Sequence, residues 1–481
     1  IPPRPAGDHE TAIIARDPAH WTTVNLVGSA SHGALDAATH ACELLGLTPR
    51  SLDLERFIAH PYAERTELTA LIGREALLAG LAVIVDADDL CNAIDGSRSA
   101  EAERAVNALI GSLDATLFVV SGDRWPGDSD VATVRVSRLS RVEQAALWRS
   151  ALSPCANSVN GEVDAIVQQF DLGPGAIAAV VRRAARGGAE IRGADLWREC
   201  RAQTGSSLDD MAQHITPCYA WDDIVVGDEV RSQLRELASQ AEQRGRVYET
   251  WGFGARLGRG RGITALFAGP SGTGKTMAAE IIASHLELDL YRIDLAGVVS
   301  KYIGETEKNL RRVFDTAERS GAILFFDEAD ALFGTRTEVR DSHDRYANLE
   351  VNYLLQRMEE YGGLAILATN RRTALDAAFV RRLRFIIEFP FPSVDDRRRI
   401  WERAFPAQAE TDGLELSFLS RLDLSGGNIK SVAVNAAFLA AAEGRAIGMP
   451  HVVRAAAREY VKLSKPISAA EFGAYVGMVR R

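Results

Sequence analysis

Gly269-Pro270-Ser271-Gly272-Thr273-Gly274-Lys275-Thr276 decides how this chain is read. An apolar run, Ile263 to Ala268, precedes it, and residues at helical spacing (Met277, Ala278, Ile281, Ile282, Leu286) follow. Strand, glycine loop and helix form the context in which G-x-x-x-x-G-K-[ST] becomes a phosphate cradle. The glycines let the backbone curl with its N–H groups pointing inward, and the helix adds its positive end. Lys275 can then reach the β- and γ-phosphates, and the Thr276 hydroxyl can ligate Mg²⁺. Lysine is scarce, six against forty-nine arginines, and Lys275 is the first in the chain.

Upstream, a second glycine loop follows a second apolar run. Gly28-Ser29-Ala30-Ser31-His32-Gly33-Ala34-Leu35 comes after Thr22 to Val27, and an offset of 241 sets Gly28 under Gly269. Without a gap, Gly33 then falls under Gly274, Leu52-Asp53-Leu54 under Ile293-Asp294-Leu295, Gly80 under Gly321, and Asp86 under Asp327. After a small shift Leu147-Trp148 matches Ile400-Trp401, and Asp171 to Ile177 matches Asp423 to Ile429. A repeat of this length means tandem domains, not a solenoid. The first copy has lost the chemistry: Ala34, Leu35, Ala87 and Gly122 stand where Lys275, Thr276, Glu328 and Asn370 stand. It is expected not to hydrolyse; weak nucleotide binding stays open.

The 481 residues, 47% hydrophobic and 25% charged, suit two or three globular units with full cores. A net charge of −10 argues against a general nucleic-acid binder. Five scattered cysteines form no C-x-x-C pair, which points to reduced, buried thiols in a cytoplasmic protein. No apolar run approaches the ~18 residues of a membrane span. The sequence opens on Ile1, not Met, which leaves room for an upstream segment.

Ile263–Ala268, Leu290–Asp294, Ala322–Phe326 and Leu364–Ala368 read as short apolar strands between helices, suited to a parallel sheet buried on both faces. Ile323-Leu324-Phe325-Phe326-Asp327-Glu328 ends one of them in carboxylates. Beside the loop, Asp327 would hold Mg²⁺ through its water shell and Glu328 would polarise the attacking water. Asn370 ends the next strand, where an amide can orient the same water; a turn-forming Asn is the plainer alternative.

With these motifs in place, residues 221–465 resemble a module of the AAA clade of AAA+ ATPases. The resemblance rests on the two nucleotide motifs, on Asn370 as sensor 1, and on Leu375-Asp376 through Arg381-Arg382 before Ile387-Glu388-Phe389-Pro390. It implies ATP and Mg²⁺ as cofactors and a homo-oligomeric ring, most often a hexamer. The nucleotide-binding set is then Val226, Gly227, Pro270, Ser271, Gly272, Thr273, Gly274, Lys275, Thr276 and Met277. Arginines before the last strand reach a neighbouring subunit's γ-phosphate in that family; the usual spacing is not kept, so Arg381, Arg382 and Arg384 are all candidates, with Arg382 favoured. Gly426-Gly427-Asn428-Ile429-Lys430 is similar to sensor 2, which would make Lys430 a phosphate sensor or a plain surface lysine. Lys301-Tyr302-Ile303-Gly304-Glu305 resembles a pore loop in which Tyr302 grips an extended polypeptide, with packing at the subunit surface as the alternative. Residues 334–345 fall where a second pore loop would lie.

The expected fold is α/β: two tandem modules, each a parallel-sheet phosphate-loop core with a helical lid, the first degenerate. The expected boundaries are 1–205 for the degenerate module, 206–220 for a linker, 221–395 for the active core, 396–465 for the lid and 466–481 for a tail. The whole organisation, with Tyr346 to Glu350, is similar to ATPases encoded beside phage-tail-like contractile injection systems of bacteria. That implies a protein substrate, either components or cargo of such an apparatus; the net charge disfavours a nucleic-acid partner and the apolar runs are too short for a membrane one. A nucleotide-dependent switch without threading is the rival, and a nucleic-acid remodeller is third.

Overall fold

The computed structural model describes residues 23–28, 33–87, 96–125, 131–136, 139–152, 160–187, 191–204, 212–256, 262–294, 305–329, 353–370 and 381–479. The chain divides into two compact units, residues 1–206 and 207–481. Among the described residues no helix is long and apolar enough to cross a membrane.

The first unit is built on β1 (Thr23–Val27), β2 (Thr48–Leu52), β3 (Leu81–Asp86), β4 (Leu117–Ser121) and β5 (Ala132–Arg135). They pair in parallel in the order β2-β3-β4-β1-β5. Helix α1 (Ala34–Leu45) follows β1; α2 (Leu54–Ala59), α3 (Tyr62–Ala79) and α4 (Gly96–Ser112) complete the α/β half. A separate core unites α5 (Arg141–Ala151), α6 (Asn160–Gln169), α7 (Pro174–Ala184) and α8 (Gly193–Thr204) around the fully buried Trp148.

The second unit contains β6 (Gln213–Ile215), α9 (Asp228–Gly245), β7 (Ile263–Ala268), α10 (Lys275–Leu286), β8 (Leu290–Asp294), α11 (Glu305–Ser320), β9 (Ile323–Asp327), β10 (Leu364–Thr369) and β11 (Phe385–Glu388). The sheet order is β11-β7-β10-β9-β8-β6, parallel except where β6 joins β8 antiparallel. Every residue of β7 and β10 is buried, as a sheet covered on both faces demands. Part of the stretch expected to be a linker, 206–220, therefore serves as the edge strand β6. A three-residue edge strand leaves no periodic signature, because backbone pairing alone holds it.

The lid comprises α12 (Val394–Arg403), α13 (Gly426–Glu443) and α14 (Met449–Lys462) around fully buried Trp401, whose indole donates to Leu419 O at 3.0 Å. Residues 466–481, expected as a tail, contribute to this core: Phe472 is fully buried, with its ring 5.1 Å from Tyr460.

Set side by side, β2-β3-β4-β1-β5 and β8-β9-β10-β7-β11 have the same order, strand for strand. The backbones agree at the glycines too. Gly28 and Gly269 have φ of 159° and 155°, Gly33 and Gly274 103° and 104°, and Gly80 and Gly321 both 62°. These are values that L side chains rarely adopt. At Gly269 there is a second constraint: an added Cβ would lie 2.1 Å from Phe389 O.

Candidate active site

Three neighbouring strand tips build the site. Parallel β7, β10 and β9 lie side by side; β7 runs into the glycine loop, β10 into Asn370, and β9 ends on Asp327. Adjacent strands are about 4.8 Å apart, so the three tips lie within about 10 Å of one another. This is the carboxyl edge of the sheet, where open parallel sheets bind ligands.

Lys275, at the start of α10, is 8% exposed. Its ammonium donates to Gly269 O at 2.7 Å, Pro270 O at 3.0 Å and Asn370 Oδ1 at 2.9 Å. Thr273 Oγ1 donates to Pro270 O at 2.9 Å, which pins the loop internally. Gly272 and Gly274, at φ 76° and 104°, make the turns that a Cβ would resist. The lid closes on this loop: Gly427 N–H donates to Gly272 O at 2.9 Å, and Ser425 caps α13 beside it. In the first unit the corresponding Gly175 N–H donates to the Asp36 carboxylate at 3.2 Å.

Asp327 takes Glu328 N–H on Oδ1 at 3.0 Å and Arg292 Nη2 on Oδ2 at 2.8 Å. Glu328 is exposed on the cavity wall and has φ of 52°, the left-handed region that costs a non-glycine residue energy. The backbone turn is what presents its carboxylate at the strand tip.

A cavity of about 500 Å³ runs from the loop along α10 and under the lid. Ser271, Gly272, Thr273, Gly274, Lys275, Thr276, Met277, Asp327, Glu328, Asn370 and Lys430 line it, so one wall collects most of the residues expected to bind nucleotide or metal. Some expectations move, and Pro270, whose carbonyl accepts from Thr273 and Lys275, is not on the lining. Val226, 7% exposed, packs in the core with Val230 and Leu234, and neither it nor Gly227 lines the cavity; Ile224 and Val225 do so instead. Lys430 does line it, but its ammonium is bonded to the Tyr219 hydroxyl, which raises its pKa above the ordinary lysine value. The sequence reading also missed Glu280, although its spacing from Met277 puts both on one face of α10.

The arginines lie elsewhere. Arg384 N–H donates to Thr264 O at 3.0 Å, at the start of β7, whereas the loop follows the end of that strand. Five residues of strand separate the two by about 16 Å. Arg381, Arg382 and Arg384 border a distinct cleft of about 420 Å³, with Arg382 Nε 3.4 Å from Glu359 and Arg384 Nη1 2.5 Å from the Tyr248 hydroxyl. They do not line this chain's own phosphate cavity. Tyr302, residues 334–345, Tyr346 to Glu350 and Leu375-Asp376 lie outside the described residues.

A glycine-loop strand, a carboxylate-tipped strand and an amide-tipped strand between them define a phosphate-loop nucleotide-binding domain. Residues 265–392 match the model of the ATPase family associated with various cellular activities (AAA), and residues 140–206, spanning α5 to α8, match the contractile injection system ATPase helical domain. The second unit thus carries an AAA ATPase domain, and the first a contractile injection system ATPase helical domain. The chain is similar to a 26S proteasome regulatory subunit 6B homolog of Dictyostelium discoideum, 32% identical over 257 residues, or 52% of this chain and 62% of that protein. It is also similar to the proteasome-activating nucleotidase of Methanopyrus kandleri, 30% identical over 48% of this chain and 54% of that protein. Proteasome-activating nucleotidase 2 of Haloferax volcanii is 32% identical over 48% of this chain and 57% of that protein. The chain spans between about half and three fifths of the length of these relatives.

Proposed function

We propose that the protein is an ATP-hydrolysing ring, hexameric as is most common in the AAA clade, that remodels protein components or cargo of a contractile injection apparatus in the cytoplasm. The observation that carries this reading is the convergence of Lys275, Thr276, Asp327, Glu328 and Asn370 on one cavity. The loop N–H groups and Lys275 bind the phosphates, Glu328 takes a proton from the attacking water, and Asn370 orients that water. A hydroxyl and a carboxylate are the hard oxygen donors that suit Mg²⁺, so Thr276 and Asp327 are the residues to hold it. Bound there, the ion neutralises charge on the β- and γ-phosphates.

Hydrolysis belongs to the second unit alone. The first keeps the sheet and the turn at Gly33 but has Ala34 and Leu35 in place of lysine and hydroxyl, which makes it a degenerate module. Arg382, with Arg381 and Arg384 as alternatives, acts on the γ-phosphate of a neighbouring subunit. The strand-length separation from its own loop supports action in trans, and an arginine supplied from outside stabilises transition-state charge.

Tyr302→Ala tests threading. A pore tyrosine touches substrate and nothing else, so the variant should melt like the wild type and hydrolyse ATP at the basal rate. It should lose stimulation by unfolded protein. Stimulation equal to the wild type's would favour a nucleotide-dependent switch over threading, and stimulation by DNA in place of protein would favour a nucleic-acid remodeller.

A further inference from the structure

One residue of the cavity has no place in the chemistry above. Glu280 lies on α10 one turn past Met277 and five residues past Lys275, and is 9% exposed. At 1.5 Å per residue it stands about 7 Å further along the helix than the lysine, toward the end of the cavity away from the loop. A buried carboxylate is out of place in a cavity shaped for a polyphosphate, because like charges repel and burial of an ion is costly. The hydrogen bond it accepts, from Cys218 Sγ at 3.5 Å, is a weak one. The cations that line the cavity with it have other hydrogen-bond acceptors: Lys430, which also feels the Glu280 charge, is bonded to the Tyr219 hydroxyl and lies 5.0 Å above its ring, and Arg403 donates to Asp222 O. The carboxylate, which lines the cavity, therefore keeps acceptor capacity for whatever fills that part of it. With the phosphates on the loop, the end away from it holds the base, where Met277, one turn back on α10, also lines the cavity.

We propose that Glu280 selects the base, accepting a hydrogen bond from the exocyclic 6-amino group of adenine and rejecting purines with a 6-oxo group. A 6-oxo oxygen at the place of the amino group leaves two acceptors facing each other without a proton between them, and the N1–H of such purines lies one ring position away. Sites built to bond a donor discriminate strongly against the analogue that lacks it. This assignment rests on the phosphate-site reading above.

The test is equilibrium binding of ATP and ITP with Mg²⁺ to the full chain. The two differ at the 6-position and at N1, which carries a proton in ITP and none in ATP, whereas GTP adds a 2-amino donor as well. The wild type should bind ATP at least about tenfold tighter than ITP. In Glu280→Gln the amide offers either a donor or an acceptor, so the ratio should fall to within about threefold while ATP still binds. Equal affinities in the wild type, or an unchanged ratio in Glu280→Gln, would overturn the assignment. If neither triphosphate binds the wild type, the phosphate-site reading falls with it; if both bind equally and Lys275→Ala abolishes both, only the role of Glu280 is lost.

Discussion

Lys275 donates to Asn370 Oδ1 at 2.9 Å, so the residue expected to grip the phosphates is already tied to the one expected to sense them. Its ammonium also rests on Gly269 and Pro270 carbonyls, so an incoming phosphate replaces neutral acceptors with charged ones. Lys275→Ala should weaken ATP binding by two orders of magnitude or more. Asn370→Ala should leave ATP affinity within a few-fold and lower turnover by about a hundredfold to a thousandfold, the range for one lost polar contact to the reacting groups. Calorimetric titration and a phosphate-release assay separate the two; equal losses of affinity in both variants would remove the sensing role of Asn370.

Glu328, proposed above as the base, also carries strain. Glu328→Gln should bind ATP and slow hydrolysis by at least about a hundredfold, the scale of lost general-base catalysis. The φ of 52° adds a prediction that activity cannot make. Glu328→Gly should be more stable than Glu328→Ala by about 1 kcal/mol, because glycine alone is at ease there. Alanine normally exceeds glycine, so matching melting temperatures, or the ordinary ranking, would show that the turn carries no strain.

Arg382 is held by Glu359 at 3.4 Å within its own chain, at the opposite end of β7 from the loop. If it acts in trans, Arg382→Ala should abolish hydrolysis with ATP affinity nearly kept. Mixing it with the Lys275→Ala protein should restore some turnover, since mixed rings pair an intact loop with an intact arginine. Mixtures no faster than either parent, once subunit exchange is seen by mass, would move the role to Arg381 or Arg384.

Burial pushes the Cys200 thiol from 9.0 up to about 12, and that of Cys42 to about 11. Below pH 9 neither state of the chain ionises these thiols and stability is unaffected. Above it the unfolded chain releases the protons and the folded one keeps them, so stability falls as pH rises toward the folded values. Each buried thiol adds a slope of up to about 1.4 kcal/mol per pH unit. Cys200→Ala should flatten the alkaline fall in melting temperature between about pH 9.5 and 11. An equally steep fall in the variant would show that Cys200 is not among the titrating groups.

What could be read from the sequence was what local chemistry dictates. The loop from Gly269 to Thr276, the apolar strands Ile263–Ala268 and Leu290–Asp294, and the repeat that pairs Gly33 with Gly274 all have short-range signatures. Features made by long-range contact were not legible. Strand β6 exists because β8 has an open edge, Phe472 is buried because Tyr460 receives it, and Val226 turns inward because α9 offers Val230 and Leu234. Cys218 breaks the expectation of buried thiols: it is exposed, whereas Cys42 and Cys200 are buried. Tyr219 and Glu280, 61 residues apart, meet only once the cavity forms.

The two lids are fastened to their cores by bonds of different kinds. In the second unit one fastening is a neutral backbone bond from Gly427 N–H to the phosphate loop at Gly272 O, worth about 1 kcal/mol, and Lys430 and Arg403 add side-chain bonds to the Tyr219 hydroxyl and Asp222 O. In the first, Gly175 N–H is held by the Asp36 carboxylate, and a bond to a charged acceptor is about twice as strong. The second lid is therefore tied to the backbone of the phosphate loop itself, so a change in the loop's shape is passed to the lid, whereas the first lid is tied to a side chain of α1.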